Sequence, residues 1–116
     1  MSQSTKEEVE KFLNEFLTKL DIFDIFFKNR EKNFNTLLAL EITASERKEY
    51  IKKLSVKNYF AGPTIDAFDP DSPPNWEFGM KIKGKEIYIK INMGKPQKKV
   101  MCISFHLSEF NIKYPY

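Results

Sequence analysis

A chain of 116 residues with net charge +3, 41% hydrophobic and 30% charged, can bury one core without help and is too apolar to be disordered, which excludes a second domain and an unfolded linker. Its single cysteine, Cys102, excludes an internal disulfide and any cysteine-based zinc site. No apolar run approaches the ~18 residues of a membrane span and the first residues are too polar for a signal peptide, so the expectation is one domain over 1–116, cytoplasmic and without a membrane.

Residues 4–20 read as a helix, with Ser4 as N-cap, Glu7 closing a capping box, and Val9, Phe12, Leu13, Phe16, Leu17 and Leu20 at helical spacing. Over 21–30, Phe23, Ile25 and Phe27 alternate like a strand while Ile22 and Phe26 are apolar too; a helical continuation fits, and a short strand fits better. The charged run 28–32 reads as an exposed turn. A short helix over 33–40 follows, and a second capping box, Thr43 with Glu46, opens a helix through Tyr50, Ile51 and Leu54. The helical part thus covers about 4–55. Residues 62–75 break regular structure with four prolines and with Asp66, Asp69 and Asp71, a spacing that lacks the glycine and closing glutamate of a calcium loop, so no metal is expected.

The stretch 76–106 alternates with period two, the mark of half-buried strands. Trp76, Phe78, Met80 and Ile82 share one face, as do Ile87, Ile89, Ile91 and Met93; the third segment sets Met101, Ile103 and Phe105 against Cys102, Ser104 and His106. The turn is Lys83-Gly84 or Gly84-Lys85, both hairpin chemistries. The first pairs Met80 with Ile87, Lys81 with Glu86 and Glu77 with Lys90; the second pairs Ile82 with Ile87 and Lys81 with Tyr88. Either way the polar face collects Glu77, Lys81, Tyr88, Lys90, Ser104 and His106. The last residues, ending in Lys113-Tyr-Pro-Tyr116, read as an edge segment. The expected fold is α+β, N-terminal helices packed on one face of a small antiparallel sheet.

Between Lys81 and Lys99 stand seven lysines and one glutamate, a local +6 that suits a phosphate backbone and equally suits an ordinary wet surface. Phosphate-binding glycine loops, His/Cys clusters and nucleophile elbows are absent from the sequence. His106 is the sole histidine, so any histidine chemistry runs through it. RNA cleavage needs no cofactor, because the 2′-hydroxyl is an internal nucleophile; the protein supplies a base, an acid and positive charge. His106 suits acid or base work, Tyr88 proton donation or stacking, Lys81 and Lys90 (with Ser104) the phosphate, and Glu77 the orientation of a partner. A salt-bridged outer face with no chemistry uses the same residues.

The order Trp76-Glu-Phe78, Glu86-Ile-Tyr-Ile-Lys-Ile91, Cys102-Ile-Ser-Phe-His106, preceded by Leu54-Ser-Val-Lys-Asn-Tyr-Phe60, resembles the MqsR-type toxins of bacterial toxin–antitoxin pairs over residues 35–116. That resemblance implies a RelE-like endoribonuclease that cleaves single-stranded mRNA and is held inactive by a cognate antitoxin. It places Tyr88 at a functional tyrosine, His106 where a functional lysine follows Ser-Phe, and Glu77 where a glutamine follows Trp. Near Tyr59-Phe60 the family has another lysine, whereas this chain has Ala61 and Gly62. The rival expectation is a non-catalytic nucleic-acid or protein binding module, an antitoxin or adaptor, using the same basic face.

Overall fold

The computed structural model describes residues 3–116 as three α-helices and a five-stranded sheet. Helix α1 is Lys6–Phe23, strand β1 Ile25–Phe27, helix α2 Glu31–Leu40, helix α3 Ala44–Ile51; then come β2 Tyr59–Thr64, β3 Asn75–Ile82, β4 Lys85–Asn92 and β5 Val100–Leu107. The sheet order is β1-β5-β4-β3-β2. The α+β class stands, with the helices N-terminal, but the sheet is mixed: β1 runs parallel to β5, and all other neighbours are antiparallel.

Helix α1 starts one residue later than its first capping signal, because Ser4-Thr5-Lys6-Glu7-Glu8 contains two overlapping boxes. Thr5 takes the cap, its hydroxyl accepting from Glu8 N–H at 3.1 Å while Glu8 Oε1 accepts from Thr5 N–H at 2.8 Å. Ser4 is drawn off to β2, donating its backbone N–H to Tyr59 Oη and its hydroxyl to Gly62 O. The helix then runs past Leu20 to Phe23, and the favoured short strand appears at once, over Ile25–Phe27. Thr43 and Glu46 form the second capping box as expected.

The apolar stripe of α1 (Val9, Phe12, Leu13, Phe16, Leu20) lies on one face of the sheet, with Phe12 stacked on Trp76 at 4.4 Å between ring centroids. Phe78, Ile82, Ile87, Ile89 and Ile91 line that face and are fully buried, each such side chain stabilising the fold by about 1.5–3 kcal/mol. The β3–β4 hairpin adopts the first of the two registers, Met80 opposite Ile87 and Glu77 opposite Lys90. Its turn is Lys83-Gly84 with φ of 52° and 81°, the doubly left-handed geometry that matches the twist of a hairpin and that glycine adopts without strain.

Two expectations fail in instructive ways. Residues 59–64 form β2, an edge strand that tolerates Pro63, so the irregular stretch is only 65–74. In β5, Ile91 pairs with Cys102 but Lys90 pairs with Ser104, leaving Ile103 as an extra residue. This bulge changes the phase: Cys102 and Phe105 both enter the core, while Met101 and Ile103 are only half-buried on the other side. The outer edge of β5 beyond the bulge has no strand beside it and is met by side chains of α2. Asn33 Oδ1 accepts from Phe105 N–H at 3.0 Å, Asn33 Nδ2 donates to Ile103 O at 3.2 Å, and Thr36 Oγ1 accepts from Leu107 N–H at 3.1 Å. The final residues form no strand. They turn back across the sheet face opposite α1.

Candidate functional site

Strand register lays out the face away from α1 as rows. Glu77, Lys90 and Ser104 stand side by side across β3, β4 and β5; the next row is Gly79, Tyr88 and His106; Lys81 and Glu86 follow at the hairpin end. Toward the opposite end Asn92 meets Met101. Four of the six expected residues therefore converge around Tyr88: Glu77, Tyr88, Lys90 and His106.

Tyr88 Oη donates to Glu77 Oε1 at 2.5 Å, a short charge-assisted bond. Burial, then this hydrogen bond and the carboxylate charge, push the phenol well above the ordinary tyrosine range, with the Arg30 guanidinium opposing them. Tyr88 therefore keeps its proton at any physiological pH and acts as a donor. His106 stacks obliquely on it, ring centroids 5.2 Å apart and planes at 35°. The ring is only 7% exposed. Its Nδ1 lies 2.9 Å from Leu107 O, and because a carbonyl accepts only from a donor, this contact assigns the proton of the neutral ring to Nδ1. Nε2 is then left with its lone pair. It has no hydrogen-bond partner among the described residues and is not one of their sealed unpaired atoms, so it keeps contact with solvent.

Ser104 is sealed, and its hydroxyl accepts from Arg30 Nη1 at 3.0 Å. It is thus placed to position Arg30 rather than to meet a ligand. Arg30, which the sequence offered only as part of an exposed turn, is brought over the polar face by the return of the chain after β1. Lys81 stays at the rim. Between it and Tyr88 passes the C-terminal segment, with Phe110 edge-on to Tyr88 and Phe60 at 6.0 and 5.8 Å, and with Ile112 N–H and Tyr114 Oη both donating to Glu86. That segment needs the bare backbone of Gly79: a Cβ there would lie 2.6 Å from Ile112 Cδ1. Burial and the Glu86 bond push the Tyr114 phenol up to about 12. Phe60, Phe110 and Tyr114 were invisible as site residues because no local pattern says which distant segment will cross a sheet.

Among the described residues no three His, Cys, Asp or Glu side chains converge as metal ligands would, and no helix is long and apolar enough to cross a membrane. The arrangement can donate a proton from Tyr88, accept one at His106 Nε2, and present Lys90 and Arg30 to an anion. Comparison with known proteins finds no matching family model, no matching curated relative and no matching solved structure.

Proposed function

We propose that this chain is a cytoplasmic endoribonuclease, the toxin of a bacterial toxin–antitoxin pair, that cleaves single-stranded mRNA with side chains alone. The observation that carries this reading is the pairing of Tyr88 with His106 in one row of the sheet face away from α1, one group holding a proton and the other a lone pair with no hydrogen-bond partner among the described residues. His106 Nε2 takes the proton of the 2′-hydroxyl; the 2′-oxygen attacks phosphorus, the bond to the 5′-oxygen breaks, and Tyr88 protonates that leaving oxygen. The products are a 2′,3′-cyclic phosphate and a 5′-hydroxyl. Solvent then takes the proton from His106 and returns one to Tyr88, whose O–H turns back to Glu77. Lys90 and Arg30 balance the extra charge on the phosphorane. The toxin assignment rests on the sequence resemblance described above.

Purified protein incubated with end-labelled single-stranded RNA in the presence of a chelator tests this. Fragments carrying 2′,3′-cyclic phosphate ends are expected, lost in His106→Ala and Tyr88→Phe; intact RNA, or cutting indifferent to both substitutions, overturns it. A second reading is favoured by the low exposure of His106 and the aromatic cover of Phe60 and Phe110: a binding module in which this cluster is packing. It predicts RNA affinity without cleavage.

A further inference from the structure

A cleft of about 930 Å³ opens on the same side of the sheet as Tyr88, between the 65–74 loop and the 93–99 connection. Its two walls carry opposite charge. Asp66, Asp69 and Asp71 line one, Lys95, Lys98 and Lys99 the other, and no ion pair joins the two walls among the described residues. The lysine wall is held in place from below, where Lys19 Nζ of α1 donates to Met93 O and Lys95 O at 2.6 and 2.7 Å. Opposed charges left apart across a gap mark a space sized for something between them. Two unpartnered aromatics border that space: Phe68, 99% exposed, and Phe26, half exposed.

The floor carries a buried pair of amide side chains, Asn75 and Asn92. Gly94 N–H donates to Asn92 at 2.8 Å, so that contact must be the amide oxygen; Asn92 Nδ2 then faces Asn75, at 2.9 Å, and what it meets must be Asn75 Oδ1. Asn75 Nδ2 is left over. It has no hydrogen-bond partner among the described residues, and Asn75 is one of the residues that line the cleft.

Resting on the nuclease reading above, we propose that this cleft seats a neighbouring nucleotide of the same RNA strand and selects adenine there. Asn75 offers the donor and acceptor that adenine N7 and the N6 amine require, the acidic wall favours an exocyclic amine, Phe68 stacks on the base, and Lys98 and Lys99 take the phosphate. Asn92 lies four residues beyond Tyr88 on β4, about 13 Å at ~3.3 Å per residue, so the selected base is a neighbour of the reacting one.

Uncleavable 2′-O-methyl oligonucleotides separate this from catalysis. By fluorescence anisotropy, a uridine strand containing one adenosine should bind about 5- to 100-fold more tightly than the all-uridine strand. Asn75→Asp, which keeps the acceptor for Asn92 and removes the free donor, should abolish that preference. Phe68→Ala, at a fully exposed position where folding is not at stake, should weaken both strands by a similar factor. Equal affinity for the two strands, or full affinity in Phe68→Ala, overturns the proposal. If RNA is cut but the strands bind alike, the cleft inference falls and the nuclease reading stands; if the strands are discriminated but RNA is left intact, the cleft binds adenine as inferred and the nuclease reading falls.

Discussion

Replacing Asn33 by alanine should be among the costliest polar substitutions in this chain. The side chain is 2% exposed and makes three hydrogen bonds, accepting from Phe105 N–H and donating to Ile103 O and Lys28 O at 3.0, 3.2 and 3.0 Å. Alanine strands one backbone donor and two acceptors at an edge that no other strand covers. A buried group left unpaired costs about 1–3 kcal/mol, and water reaching part of the vacated space offsets some of that, so a total near 2–4 kcal/mol is expected. Against the ~5–15 kcal/mol of a domain this is a large fraction. With a urea slope of about 1–3 kcal/mol per molar, the unfolding midpoint should fall by roughly 1–4 M at unchanged slope. Amide exchange at Phe105 should accelerate by the same free energy. A loss under about 0.5 kcal/mol, with Phe105 still protected, would refute the claim that α2 stands in for a missing strand.

Tyr88→Phe keeps the ring against His106, Phe60 and Phe110 and removes the hydroxyl with its bond to Glu77, so RNA cleavage should fall about 10²–10⁴-fold while the thermal midpoint shifts by a few degrees; activity within a few-fold of wild type defeats the donor role. Gly79→Ala should lift the C-terminal segment, exposing the Ile112 amide to exchange and costing about 1–3 kcal/mol, and an unchanged exchange rate would show that the segment does not rest on that glycine. Burial raises the Cys102 thiol from 9.0 to about 12, opposed by Arg47. A raised folded value means the contribution is complete below about pH 9 and is lost as pH climbs toward 12, so alkaline unfolding should set in over that window and be relieved by Cys102→Ala relative to its own neutral-pH stability. At about pH 8 the thiol should react with a bulky disulfide reagent only as fast as the fold opens, and labelling at the rate of a free cysteine contradicts its burial.

The alternation in 76–93 was enough to read β3, β4 and the content of their polar face, because side-chain period and hairpin turn are both local properties. It failed at β5 for a reason that is not local. Met101, Ile103 and Phe105 share parity and are all apolar, so counting by twos sends Cys102 outward; the bulge lets both Cys102 and Phe105 face the core, and no glycine or proline marks it. Ser104 and His106 remained on the expected side because they follow the extra residue. Gly62 and Pro63 read as a break, yet an edge strand can carry them. The parallel pairing of Ile25–Phe27 with Val100–Cys102 joins segments 75 residues apart, and Arg30 reaches Ser104 through that pairing, so neither was legible in a window of neighbours.

The extra residue at Ile103 also governs how descendants of this gene can vary. Losing that one codon would leave Cys102 beside Ile91 and Ser104 beside Lys90, a regular ladder with the same inward and outward sets; losing codon 104 would keep the ladder but put Ile103 in place of the hydroxyl that holds Arg30, and losing codon 105 or 106 would remove the buried phenylalanine or the imidazole itself. Any alignment of this strand with a shorter cousin should therefore open its gap at 103, and length polymorphism elsewhere in the segment should be purged.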